Sequence, residues 1–239
     1  MKNNLIHHTA IIDKSALIGA NVRIGPYAVI GRVTIGDESI IHPHVVISDG
    51  AIIEKGVEIF PGAYIGKEPK GAGALARMPT FEKKIKIGSN SSIGPNSVLY
   101  YDVKIGKNTL IGDGASIREK CKIGDFCIIS RYVTINYNVS IGNRVKIMDM
   151  THITGNSIIG DDVFISILVG TTNDNFKRAG FGEHIVGPTI ESNVVIGVGA
   201  SILPNVTLGA GSTIAAGAVV TKNVESNSTV IGAPARIKN

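Results

Sequence analysis

Thirty-one aliphatic residues of this chain fall on a strict six-residue grid, and that spacing constrains the fold more than any other feature of the 239 residues. The longest unbroken run goes from Ile87 to Ile165 and is isoleucine throughout, apart from Leu99. Shorter runs go from Ile6 to Ile30, from Ile35 to Ile65 and from Ile190 to Val220. Glycine often follows the grid residue, as at Gly88, Gly94, Gly106, Gly124 and Gly197. The position two before it is small from Ser91 to Val163, with Ser97, Thr109, Ala115, Cys121 and Cys127 among its occupants.

This is the hexapeptide repeat of a parallel β-helix, an all-β fold. One hexapeptide makes a short strand and a corner, and three make a triangular coil of eighteen residues. Alternation along a strand turns both the grid residue and the small residue two before it inward. Such a large-plus-small pair fills a narrow triangular core. Gly, Asn and Asp after the grid residue suit tight corners, some of which need φ > 0. Dividing the 31 grid positions by three predicts about ten coils, stacked as one domain over residues 1–239.

Composition agrees with thin repetitive coils: 29 glycines, 5% aromatic residues and no tryptophan. No apolar stretch reaches membrane-spanning length and no signal peptide is recognised, so a cytoplasmic protein with no membrane insertion is expected. The two cysteines fall in inward slots on different faces of one coil and read as free core thiols of a reducing compartment. A net charge of +5 suits ligands that carry phosphates. The basic residues are scattered without aromatic interleaving, so nucleic acid is not the expected partner. The histidines are not spaced to converge as metal ligands, and no metal is expected.

The grid breaks in three places. Ile30 to Ile35 is one residue short. Two insertions interrupt the coils, at 66–84 and 166–189, and a C-terminal tail runs over 221–239. Position 81 in the first insertion and 171 in the second differ by 90 residues, five coils of eighteen, which places both insertions on one face. Counting in eighteens along that face yields stacked columns expected to point outward. One holds Tyr101, Glu119, Tyr137, Gly155 and Asn173; the next holds Tyr100, Arg118, Asn136, Thr154 and Thr172; a third holds Val98, Ser116, Thr134, His152 and Gly170. Aromatic, hydrogen-bonding and titratable groups gathered on one strip between two loops read as an active-site wall.

Several blocks carry a family resemblance. They are the N-terminal stretch IHHTAIIDKSALIGANVRIGPYAVIG, INYN at Ile135 to Asn138, TTNDN at Thr171 to Asn175, GPTIESNVVIGVGASILPNVTLG, AAGAVVTKNV and IGAPAR at Ile231 to Arg236. The chain resembles left-handed β-helix acyltransferases of nucleotide-linked sugars, and most closely the dTDP-3-amino-3,6-dideoxyhexose N-acetyltransferases. The resemblance implies left-handed winding, a homotrimer with sites between prisms, acetyl-CoA or another short acyl-CoA as donor, and a nucleotide-linked (dTDP or UDP) amino sugar as acceptor. It implies that backbone amides near Gly197, Ala215 and Ala216 hold the pantetheine arm, that Lys222 and Arg236 meet the phosphates of coenzyme A, and that Arg77, Lys83 or Lys84 meet the diphosphate of the acceptor. On that reading His152 is the general base by residue type. Asn136 orients the amine or bonds the sugar, and Glu119 orders a hydroxyl or the ammonium. Tyr101, Arg118 and Tyr137 belong to the acceptor wall, with Asn173 and Asp174 bonding the acceptor or the acyl carbonyl. Two rival functions stay open: O-acyl transfer to a sugar hydroxyl, and a catalytically silent β-helix module.

Overall fold

The computed structural model describes residues 3–71, 78–174 and 185–238. Among them the chain forms three parallel sheets of 13, 11 and 10 strands, called here the first, second and third. The chain visits them in rotation, and each strand pairs with the strand one coil away, as Ser116–Ile117 does with Val98–Leu99 and Thr134–Ile135. Strands are mostly two residues long because only the residue before the grid position and the grid residue itself lie flat in a ladder.

The grid residues form the core. From Ile24 to Val220 every grid aliphatic is buried, and so is every small inward residue from Ser91 to Val163. Each isoleucine stacks on its equivalent in the next coil and gains roughly 1.5–3 kcal/mol from burial. Several polar members of the small column are satisfied in a common way, while Ser97 and Ser157 donate to the carbonyls three residues back, of Gly94 and Thr154. Ser91, Thr109 and Thr151 donate to the carbonyls of Gly106, Gly124 and Ser166, fifteen residues on, at 2.8–2.9 Å. The Cys121 and Cys127 thiols do the same to Asn136 and Gly142. Both cysteines are free, as expected from their slots. Burial pushes the Cys121 thiol up to about 12.

Twelve of the 13 strands of the first sheet run parallel, because its last strand, Arg236–Ile237, turns back antiparallel on Thr229–Ile231. The solenoid therefore has about 12 turns rather than the expected ten. Three inward positions escape an aliphatic six-residue search. Thr171 is a buried polar grid residue, so the coil continues into the segment 166–189 and the insertion starts after the strand Gly170–Thr171. Val224 and Val230 are buried inside the segment 221–239, where a four-residue step from Val220 breaks the period; Val224 bridges Leu208. That segment is a final rung and a returning strand rather than a tail. At the short step Ile30 to Ile35, pairing recovers at once, with Ile18 opposite Ile35.

Both insertions leave from the second sheet and return to the third, so both sit at the corner between those sheets. The first leaves after Tyr64–Lys67 and the second after Gly170–Thr171, five strands apart in the second sheet. Corner residues three past the grid position adopt φ near +60°. Asn fills many of these sites, yet Tyr132, Met150 and Leu168 take the same conformation on successive coils.

Candidate active site

On the second sheet the outward column Val98, Ser116, Thr134, His152, Gly170 stacks in direct register. His152 is half-buried, and its Nδ1 lies 2.7 Å from the Thr134 hydroxyl. Burial holds its imidazole pKa below the ordinary 6.5, so the ring is neutral at neutral pH. When Nδ1–H donates to Thr134, the lone pair of Nε2 is free to accept a proton. Gly170 is the next residue of the column, and a Cβ built there meets nothing within 4 Å among the described residues, which leave space beside the imidazole. The backbone under the ring is tied by Thr171, whose hydroxyl donates to the His152 carbonyl at 3.2 Å and accepts the Thr154 N–H at 2.7 Å. Asn136 is half-exposed in the adjacent corner column, and among the described residues its side-chain amide makes no hydrogen bond.

The corner columns depart from the expected outward orientation. Tyr101 is 5% exposed and Glu119 is 0% exposed, so neither faces solvent. The chain bends at this corner, and the inward–outward alternation of a flat strand no longer holds two residues past the grid position. The Glu119 carboxylate accepts from Arg118 Nε at 3.2 Å and Nη2 at 3.4 Å. Glu119 thus holds Arg118 in place. The Arg118 guanidinium lies 5.8 Å from the ring centres of both Tyr100 and Tyr137. Tyr137 crosses Gly155, where a Cβ would come within 2.8 Å of the ring. Asn173 donates to the Gly155 carbonyl at 3.1 Å and approaches the Tyr137 hydroxyl at 3.5 Å. Asp174 is exposed at the end of the described stretch 78–174, and Arg77 lies outside the described residues.

The first insertion returns along the same corner. Phe81 stacks on Tyr101 at 6.0 Å, and Lys120 donates to the Thr80 hydroxyl at 2.6 Å. Burial pushes the Tyr101 phenol pKa up. Phe81 and Lys67, which lies over the Tyr100 ring, are the groups that counting in eighteens misses, because both lie in or beside the insertion where the count fails.

The residues assigned to coenzyme A gather near the C-terminal coils, with one correction. The amides of Gly197 and Ala215 are spent within the ladders, on the carbonyls of Ile214 and Val230. Among the described residues the Ala216 N–H has no protein acceptor, so of the three it alone is free for a ligand. Earlier coils place Pro26, Pro43, Pro61 and Pro95 at the equivalent position, where no ladder bond is lost. Gly197 is required there, since its Cβ would fall 2.5 Å from the Ala216 nitrogen. Lys222 and Arg236 line one cleft of about 230 Å³ with Thr221, Asn223 and Ala235.

Comparison with known proteins accords with this architecture. Residues 84–119, 102–137 and 187–222 match the bacterial transferase hexapeptide family (six repeats), and residues 16–48 match the hexapeptide repeat of succinyl-transferase. The serine acetyltransferase of Buchnera aphidicola subsp. Acyrthosiphon pisum is 43% identical over 81 residues, which is 33% of this chain and 27% of that protein. The match thus spans about a quarter of the relative. Over 98% of its length the chain shares the fold of an Arabidopsis UDP-N-acetylglucosamine acyltransferase, with a TM-score of 0.61, 20% identity and 73% of that chain covered. A UDP-N-acetylglucosamine O-acyltransferase of Moraxella catarrhalis covers the same shares, with a TM-score of 0.54 and 21% identity. The chain is a member of the hexapeptide-repeat transferases.

Proposed function

We propose that this protein transfers an acetyl or other short acyl group from coenzyme A to the amine of a nucleotide-linked (dTDP or UDP) amino-deoxy sugar. The observation that carries the reading is His152, a neutral imidazole anchored at Nδ1 by Thr134, with space left beside it at Gly170 by the described residues. The amine attacks the thioester carbonyl, a C–N bond forms, and a tetrahedral oxyanion results. Nε2 of His152 takes the proton that the amine sheds. The C–S bond then breaks, and the proton passes to the departing sulfur. A base weakened by burial is well matched to a sugar ammonium with a pKa near about 8 and poorly matched to a hydroxyl several units higher. Asn136, whose side-chain amide makes no hydrogen bond among the described residues, orients the amine. Glu119 acts through Arg118. Donor binding falls to the Ala216 amide and the Lys222–Arg236 cleft, and the working unit is a homotrimer.

One observation favours O-acyl transfer instead: the Thr134–His152 pair is the arrangement a hydroxyl acceptor needs, since a hydroxyl cannot react without a base. His152→Ala separates the two. For an amine acceptor assayed near pH 8 the variant keeps activity within about tenfold, whereas a hydroxyl acceptor loses about 10²–10⁴-fold. Loss of the larger size with an amine acceptor refutes the minor role assigned to the base.

A further inference from the structure

The corner beside His152 carries a second feature that the chemistry above does not use. The strand Tyr64–Lys67 contains a bulge: Tyr64 and Ile65 pair with Val98 and Leu99, but Lys67 pairs with Tyr100. Gly66 is the extra residue, at φ +87, and a Cβ there would meet Ser48 Cβ at 2.9 Å and Tyr101 Cε1 at 3.2 Å. Only glycine fits, so the bulge is built into the sequence, and its effect is to aim one side chain. The Lys67 ammonium lies 4.3 Å from the Tyr100 ring centre and donates to the Tyr100 hydroxyl at 3.1 Å. Arg118 flanks the same ring at 5.8 Å. The two cations therefore lie within about 10 Å of each other, sharing one aromatic ring.

Both keep capacity for a ligand. Arg118 uses Nε and Nη2 on the buried Glu119, leaving Nη1, and its side chain is 23% exposed. Lys67 has no carboxylate partner among the described residues, unlike Lys83 and Lys84, whose ammonium groups face Glu68 and Glu82. The ladder Lys67, Tyr100, Arg118, Tyr137 climbs the corner toward Asn173. Along the axis Arg118 lies two coils, about 10 Å, from His152, and Lys67 lies four coils, about 19 Å, from it. Two cations at that mutual distance, Lys67 without a carboxylate partner among the described residues and Arg118 fixed by the buried Glu119 with Nη1 left over, match the spread negative charge of a diphosphate better than a single carboxylate or monophosphate.

We infer that Lys67 and Arg118 form the diphosphate subsite for the acceptor, with the nucleoside directed toward the N-terminal coils and the sugar toward His152. This rests on the acceptor reading above. It replaces Lys83 and Lys84 in that role. Coenzyme A also carries a diphosphate, but the cleft of Lys222 and Arg236 is six coils farther along, about 29 Å.

The test is calorimetric titration of the full chain with UDP, dTDP, UMP, dTMP and coenzyme A, repeated on Lys67→Met. Wild type binds the nucleoside diphosphates more tightly than the monophosphates. Lys67→Met weakens the diphosphates about tenfold, with the monophosphates and coenzyme A unaffected and the melting temperature unchanged. Arg118→Ala removes the guanidinium from a buried carboxylate and threatens folding, so Arg118→Lys is the second variant, expected to weaken UDP or dTDP by a similar factor. Equal diphosphate affinity in wild type and Lys67→Met overturns the subsite and leaves acyl transfer standing. Weakened coenzyme A binding in Lys67→Met assigns the cations to the donor and also overturns it. Thiol release from acetyl-CoA by a protein that binds no nucleotide refutes both the subsite and the nucleotide-linked acceptor, and spares the acyl-transfer chemistry.

Discussion

Gly155→Ala separates the scaffold from the site. Gly155 lies outside the left-handed region, so alanine fits the backbone, and the unfolded chain loses freedom worth about 0.4–1 kcal/mol. The added Cβ, however, lands 2.8, 2.9 and 3.0 Å from three carbons at the hydroxyl end of the Tyr137 ring. Carbon atoms settle at about 3.5–4.0 Å, so the ring must move by roughly 0.7–1 Å. The obstacle is the far end of a side chain, which swings out cheaply. The displaced ring gives up its 3.5 Å approach to Asn173 and its position 5.8 Å from Arg118, a loss of about 0.5–1 kcal/mol. The stability terms nearly cancel, and the melting temperature should stay within about 4 °C of wild type. Function should not be spared, because a displacement near 1 Å in a positioning residue costs up to about 10²-fold. Steady-state kinetics should show kcat/KM for the acceptor falling about 10–100-fold while KM for acetyl-CoA holds. A melting temperature lowered by much more than about 4 °C, or acceptor kinetics within twofold of wild type, refutes this account of Tyr137.

Two further outcomes follow from the same geometry. Thr171→Val deletes the acceptor of the buried Thr154 N–H and the donor to the His152 carbonyl, and urea unfolding should register a loss of about 1–3 kcal/mol; an unchanged midpoint contradicts the role given to this polar grid residue. His152 is held neutral by burial, so between its folded pKa and the unfolded value of about 6.5 the unfolded chain binds more protons. Its contribution to stability is complete above that unfolded value and is lost as pH falls through the folded one. Wild type should lose more stability than His152→Gln from pH 7 to pH 5, and parallel melting curves across that range exclude the desolvated imidazole.

The solenoid was legible because burial repeats. Each grid isoleucine meets its own kind one coil away, and each small partner from Ser91 to Val163 is buried beside it. Legibility failed where a polar group or a changed step served the same end. Thr171 occupies a core slot as a hydrogen-bonded threonine, and Val224 arrives after four residues instead of six, so the count of coils fell short. The site followed the same division. His152, Thr134 and Gly170 were found on one column by counting in eighteens, since they lie on flat strands. Tyr101 and Glu119 were placed on the correct corner but facing the wrong way, because a corner abolishes alternation. Lys67 was invisible: the bulge at Gly66 sets it opposite Tyr100, 33 residues away, which no multiple of eighteen finds. The amides of Gly197 and Ala215 illustrate a further limit, since only the ladder pairing tells which N–H is already engaged.

The most direct test is thiol release from acetyl-CoA by the wild-type protein, against dTDP- and UDP-linked 3-amino and 4-amino sugars and their hydroxyl counterparts, with the product analysed by mass spectrometry. The account predicts release with an amino sugar, an amide product heavier by one acetyl group, and little turnover of the matching hydroxyl sugar. Release with the hydroxyl sugars alone would make the protein an O-acyltransferase, and no release with any acceptor would contradict acyl transfer from acetyl-CoA to these sugars.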